Sequence, residues 1–439
     1  MLALIKKFIP KKCLQLYHYT LAILANVVYR NPSDKLIVIG VTGTSGKSTV
    51  VYLISKLLEK AGFRVGSAST ILFKVDKWEK INDRKMTMIG RFALQRLLKM
   101  MVKANCQYAV VEVTSQGIEQ FRHLGINFDV LLFTNLWPEH IEAHGGFENY
   151  KRAKLKLFGK LKTETPKLIA GKKIIKTIIA NLDSEHSKDF LNHWAEVKFG
   201  YTLGNSSSDE AKVVRAEEIE LLGQGSNFQI NHNPFQTRLL GRHNVENILA
   251  ALTVGMSQGL SLSAMAKSLE TIYGVPGRIE FIDEGQKFKV VVDYAYEPKA
   301  VEALYEVVKN VDHRKIIHIL GSTGGGRDTS RRPKLGILAG SNADYVIVAN
   351  EDPYDEDPKK IIDQVAFGAR QAGKKLNHDL FKIMDRRSAI AKALSLAGPN
   401  DLVLITGKGS EQAIVVKNNK KILWDDRKVV REELVKIIN

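Results

Sequence analysis

The ten residues Gly40-Val41-Thr42-Gly43-Thr44-Ser45-Gly46-Lys47-Ser48-Thr49 constrain this chain more than any other stretch. They lie between an apolar run over 35–41 and a helical pattern over 47–61. Glycines let backbone N–H groups turn inward around phosphate oxygens, and the positive end of a helix dipole strengthens the attraction. Gly43, Thr44, Ser45, Gly46 and Thr49 would line such a cradle, while Lys47 would reach the terminal phosphates and Ser48 would ligate Mg²⁺. The common phosphate-loop pattern asks for glycine at position 41, where valine stands, and the glycines fall at 40, 43 and 46. Strand, loop and helix in this order predict a site for ATP or GTP.

Around the loop, short β-branched runs alternate with helical periods, the pattern of parallel α/β units. Strands are expected over 35–41, 108–114, 129–136 and 176–183, and helices over 47–61, 92–104 and 150–161. Between 200 and 240 the pattern shifts to alternating residues with Gly and Asn breaks, which predicts an antiparallel insertion. Helical periods follow over 244–258 and 262–272. Gly274-Val275-Pro276-Gly277 is a turn signal and the expected domain boundary. Beyond it the alternation restarts, with strands over 287–293, 315–321, 345–350 and 401–406. A chain of 439 residues should hold more than one domain. The expectation is an α/β protein: an N-terminal amphipathic helical segment (1–34), a central phosphate-loop domain with a mostly parallel sheet (35–277) and a C-terminal Rossmann-like α/β domain (278–439).

Composition narrows the partners. A hydrophobic fraction of 44% and a charged fraction of 26% suit an ordinary globular protein. Cys13 and Cys106 stand far apart outside any CxxC pattern, so neither a disulfide framework nor a thiolate metal site is supported, and a reducing cytoplasm is the default. The net charge of +18 asks for anionic partners. The lysines and arginines are scattered, with no nucleic-acid-binding signature, so nucleotides and phosphosugars are the expected class and nucleic acid is not. The first thirty residues mix an apolar set with Lys6, Lys7, Lys11 and Lys12. Gln15, His18 and Asn26 interrupt the apolar part, which falls short of the ~20 apolar residues of a spanning helix. No small-residue cleavage site follows. Either a basic helix rests on a membrane surface, at the inner face of the cell membrane, or a helix packs on the protein body.

Glu112 ends the apolar run Tyr108-Ala109-Val110-Val111. A carboxylate there stands at the C-terminal edge of a parallel sheet, where such sheets bind ligands, and offers Mg²⁺ a hard oxygen beside Ser48.

Together with the loop and Glu112-Val113-Thr114-Ser115, further stretches resemble the Mur ligase family in order along the chain. These are Thr134-Asn135-Leu136-Trp137-Pro138-Glu139-His140, Asn149-Tyr150-Lys151-Arg152-Ala153-Lys154 and Gly241-Arg242-His243-Asn244-Val245-Glu246-Asn247. Gly277-Arg278-Ile279-Glu280, Val292-Asp293-Tyr294-Ala295 and Asp401 to Glu411 follow. The resemblance implies an ATP-dependent ligase that turns a carboxylate into an acyl phosphate for capture by an amine. It implies two Mg²⁺ ions, one held by Ser48 and Glu112, the other by His140 and by Lys154 carried as a carbamate. Lys47, Glu112, His140 and Lys154 would form the catalytic set. A bare ammonium cannot ligate Mg²⁺, whereas its CO₂ adduct is an oxygen-donor anion. Asn244 or Asn247 would contact adenine, and Arg278 with Asp293 would serve phosphate and ribose from a second domain that closes over ATP.

Within the family the chain looks most like the branch that adds the third residue of the UDP-muramoyl peptide. Ser115, Gln120, Arg122 and Thr87 match its muramoyl-peptide contacts, although Gln116, Met88 and Ile89 depart from it. The segment before residue 35 is too short for an independent domain, so the family's uridine-binding domain is expected to be missing. Where diaminopimelate-adding enzymes carry DNPR, this chain has Glu351-Asp352-Pro353-Tyr354. Without that Arg there is no fork for a second carboxylate, which speaks against diaminopimelate. In the GKGHE stretch Ser410 replaces His, while Lys408 and Glu411 remain, and Glu411 would accept a side-chain ammonium. Asp352, Tyr354, Lys408 and Glu411 are thus the amino-acid candidates, lysine is preferred, and a monomer is expected. Rival readings are another Mur-fold ligase (folylpolyglutamate-, cyanophycin- or muropeptide-amidating type) and a non-catalytic phosphate-loop module.

Overall fold

The computed structural model describes residues 10–138, 144–326 and 328–438. These form two compact units. The first holds the described residues up to Glu220 together with Asn227–Thr237 and His243–Ile272; the second holds Leu221–Ser226, Arg238–Arg242 and the described residues from Tyr273 onward.

A nine-stranded sheet organises the first unit, in the spatial order Lys212–Arg215, Val197–Thr202, Thr177–Asn181, Val130–Phe133, Ile37–Thr42, Tyr108–Glu112, Val65–Ala68, Leu72–Val75 and Trp78–Ile81. All neighbours run parallel except at the Leu72–Val75 and Trp78–Ile81 edge. Parallel strands are covered on both faces, which explains the unbroken apolar runs Val38-Ile39 and Val110-Val111. Register decides the site: Val41 lies opposite Glu112 on one side and Leu132 on the other. The phosphate loop therefore leaves the sheet beside the carboxylate.

The region from 200 to 240 differs from the expected antiparallel insertion. Val197–Thr202 and Lys212–Arg215 extend the main sheet in parallel. Only Glu217–Leu222, Gly225–Ile230 and Asn233–Thr237 form a separate three-stranded sheet. The polar Gly204-Asn205-Ser206-Ser207-Ser208 turn hides the continuity, because the edge strand after it buries only Val214.

In the second unit six strands run in the order Glu280–Ile282, Lys289–Val292, Leu402–Ile405, Ile316–Leu320, Tyr345–Ala349 and Leu380–Ile383, all parallel except the first. Alternate residues feed opposite cores. Val291, Leu404 and Val346 pack under helices Pro298–Val308, Arg331–Asn342 and Pro358–Gln371. Val290, Val403 and Ile347 pack under helices Arg386–Leu396 and Asp426–Ile438. The period of two along a strand meets helices on both faces.

Candidate active site

In the first unit the phosphate loop is held by its own backbone and by the end of the Val130–Phe133 strand. Asn135 accepts the Thr44 N–H at its carbonyl (2.9 Å) and the Ser45 N–H at its side chain (2.9 Å), while the Thr134 hydroxyl donates to Ser45 O (2.8 Å). Gly46 caps helix Lys47–Lys60 at φ +79°, and a Cβ there would strike the Asn247 side chain. Both a left-handed conformation and a close neighbour demand glycine. Lys47 folds back to donate to Thr44 O (2.7 Å).

Beside the loop, one Glu112 oxygen collects the donors. Oε2 accepts from the Ser48 hydroxyl (2.9 Å), the Thr70 N–H (2.8 Å) and the Thr70 hydroxyl (3.0 Å). Thr70 also lies 2.8 Å from the Thr87 hydroxyl. One hydroxyl carries one proton, so if Thr70 donates to Glu112 it accepts from Thr87. A relay thus joins Thr87 to the Ser48–Glu112 pair. Thr70 escaped the sequence reading, and nothing in an ordinary Ala-Ser-Thr turn marks it.

On the loop's other side the Lys154 ammonium donates to Gly43 O (2.7 Å) and lies 4.6 Å from the Tyr150 ring centroid. The residue is 1% exposed, far from a solvated helix lysine. Tyr150 OH in turn lies 3.1 Å from the Thr44 hydroxyl. His140 lies outside the described residues. His144 is a histidine the sequence reading did not single out; its Nε2 lies 3.0 Å from the Ser115 hydroxyl. Burial, more than Lys154 and Lys156, holds its pKa below the usual imidazole range against the pull of Glu119. The Arg122 guanidinium donates to the Gln120 side chain (2.5 Å) and to Met88 O, next to Thr87. Burial and then Arg91 lower the Arg122 pKa. Asn247 lies against Gly46 and its amide reaches the Asn244 side chain (3.4 Å). Thr87, Ser115, Gln120, Arg122, Asn244 and Asn247 thus all fall within the phosphate-loop unit.

The remaining candidates belong to the second unit. Asp293 accepts the N–H of Ile279 (2.8 Å) and of Ala295 (2.6 Å), which ties it to the turn carrying Arg278. Arg278 stacks 4.2 Å from the Tyr294 ring centroid. Ile279 between them adopts φ +45°, a costly conformation for a β-branched residue. Lys408 is fully buried, its ammonium 3.0 Å from both Asp352 oxygens and 2.6 Å from Glu411. Tyr354 packs its ring over Gly325. Behind them, burial and then the neighbouring Asp352 raise the Glu351 pKa.

Hydroxyl and carboxylate oxygens at Ser48 and Glu112 are the hard donors Mg²⁺ prefers, and the ion commonly takes few protein ligands beside substrate phosphates and water.

The sequence profile described as Mur ligase middle domain matches residues 41–255, and that described as Mur ligase, glutamate ligase domain matches 277–409. A UDP-N-acetylmuramyl-tripeptide synthetase of Roseiflexus sp. is 37% identical over 95% of this chain and 82% of its own length. The chain belongs to the Mur ligase family. A UDP-N-acetylmuramoyl-L-alanyl-D-glutamate–2,6-diaminopimelate ligase of Clostridium tetani is 33% identical over 94% of this Mur ligase and 80% of its own length. A solved structure carrying the same diaminopimelate-ligase name matches with a TM-score of 0.61 at 27% identity, covering 92% of this chain and 79% of that one. As a Mur ligase the protein is an ATP-dependent, ADP-forming carboxylate–amine ligase, and the family works with ATP and Mg²⁺. The expectations of an α/β fold and of this family are met.

Proposed function

We propose that this Mur ligase joins an amino acid to the carboxylate of a UDP-muramoyl peptide in peptidoglycan synthesis. The observation that carries the reading is the phosphate loop bracketed by buried groups, Ser48 with Glu112 on one side and Lys154 on the other. The relatives named above act, by their names, at the tripeptide step.

A free carboxylate is a poor electrophile, so the γ-phosphate is first transferred to it. An amine then displaces phosphate from the acyl phosphate, leaving an amide, ADP and phosphate. Loop N–H groups and Lys47 stabilise the charge that develops during transfer, and Asn244 or Asn247 holds the base. Ser48 and Glu112 would hold one Mg²⁺, and His140 with carbamylated Lys154 a second. When bound, these ions neutralise charge between γ-phosphate and acid. Capture of CO₂ by the Lys154 side chain forms the N–C bond, releases both protons that the ammonium loses, and replaces a cation with an anion next to the loop. The relay Thr87–Thr70–Glu112, with Ser115, Gln120 and Arg122, forms the acceptor side. Arg278 and Asp293 serve phosphate and ribose.

For the incoming amino acid we assign lysine. Asp352 and Glu411 already surround one ammonium, that of Lys408, and Tyr354 offers a phenol ring where pairing with a second carboxylate needs a guanidinium.

Phosphate release from ATP tests the reading, with UDP-muramoyl-dipeptide and a panel of amino acids. Release is expected only when both are present, and faster with lysine than with diaminopimelate. Release without the acceptor peptide would overturn the reaction, and a preference for diaminopimelate would overturn the specificity alone. Lys154→Ala should abolish turnover without rescue by bicarbonate; full activity would remove the second metal site.

A further inference from the structure

The helix Lys11–Tyr29 presents two unlike faces. Ala22 and Ala25 are buried, and the helix packs on helix Arg91–Lys103. Opposite them Leu16, Tyr17, Ile23, Leu24, Val27 and Val28 are all between 42% and 65% exposed. Their spacing of three, four and seven puts them on one stripe running the length of the helix. A contiguous apolar stripe of this kind on a protein surface marks a place where something docks.

Charge selects the occupant. The first acidic residue of the chain is Asp34, whereas Lys6, Lys7, Lys11, Lys12 and Arg30 precede it. The helix packed beneath adds Arg91, Arg96, Lys99 and Lys103, again without a carboxylate, and exposes Phe92 and Met100. An apolar stripe on a pair of helices whose sequences carry cations and no carboxylate matches the acyl–headgroup boundary of an anionic bilayer, where apolar side chains enter and cations meet phosphate. No helix among the described residues is long and apolar enough to cross a membrane, so such contact is peripheral.

We infer that helix Lys11–Tyr29 lies flat on an anionic lipid surface and holds this ligase there. Co-sedimentation of the full chain with phosphatidylcholine vesicles, with and without phosphatidylglycerol, tests the inference. The protein should pellet with the anionic vesicles, release as ionic strength rises, and stay soluble with phosphatidylcholine alone. Leu24→Glu/Val27→Glu changes only exposed positions, and should weaken vesicle binding at least about tenfold while ligase turnover in solution is unchanged. Hydrogen exchange of the unsubstituted protein gives a second measurement: residues 16–28 should gain protection on adding anionic vesicles. Absence of binding, binding undiminished in the double variant, or no new protection overturns the inference. So does light scattering that shows a dimer which the double variant dissolves, since a second copy would then own the face.

Discussion

Thr70 shows what a single side chain can do for a carboxylate that we propose holds a metal. Its N–H and hydroxyl both fix Glu112 Oε2, the atom that also receives Ser48. Groups that orient a metal ligand typically matter by 10–100-fold, although they never touch the ion. Thr70→Val keeps the shape and the N–H but removes the hydroxyl. Turnover should fall about tenfold and the Mg²⁺ concentration for half-maximal rate should rise, with Thr70→Ser restoring both. An unchanged Mg²⁺ dependence would deny Thr70 this positioning role. Glu112→Gln goes further, because the amide still accepts hydrogen bonds but carries no charge for the metal. We expect a loss of about 10²–10³ in kcat at unchanged thermal stability, measured by steady-state kinetics and a melt.

Among elements, the strand–loop–helix unit is where chain and structure agree most closely, because each of its requirements is local. Gly46 needs φ +79° and space beside Asn247, so Gly46→Ala should cost about 1 kcal/mol or more in stability and raise the KM for ATP. A melt and a nucleotide titration would show it; an unchanged KM would mean that the loop does not form the phosphate site. Glu112 was legible for a similar reason, since an apolar run ending in a carboxylate announces a sheet edge. What stayed hidden depends on contacts distant in sequence. Thr70 meets Glu112 only because Ala68 pairs with Val111 across two strands. Burial of Lys154 is invisible in a helix sequence rich in lysines; only the resemblance to Mur ligases singled it out. His144 meets Ser115 because the Ser115–Glu119 and Phe147–Lys160 helices pack together. The parallel strand Lys212–Arg215 was read as part of an insertion, since a polar turn and one buried valine look alike in either setting.

At the scale of the whole molecule, each unit carries, among the described residues, one deeply buried histidine whose surroundings oppose a charge. His123 lies in the first unit and His318 in the second, and burial lowers both pKa values from 6.5 to about 3, with Lys160 and Lys156 adding to the effect at His123. The His318 tautomer follows from its neighbours. The Thr406 hydroxyl donates to Ile319 O (3.3 Å), so it accepts from His318 Nε2–H (2.9 Å), and bare Nδ1 accepts the Tyr305 hydroxyl proton (2.6 Å). A second proton on the ring would turn the Tyr305 hydroxyl from donor to acceptor and leave its own proton in need of another partner. Between pH 6.5 and about 3 the unfolded chain therefore binds protons that the folded chain refuses, and stability falls as the pH drops through that window. Each histidine contributes roughly 4 kcal/mol by pH 3, at about 1.4 kcal/mol per pKa unit. Thermal melts from pH 7 downward should show this loss. His318→Gln can keep one acceptor and one donor without titrating, so its melting temperature should fall less steeply with acid than that of the unsubstituted protein. A parallel descent of the two curves would show that His318 does not govern the acid limb and that paired carboxylates do.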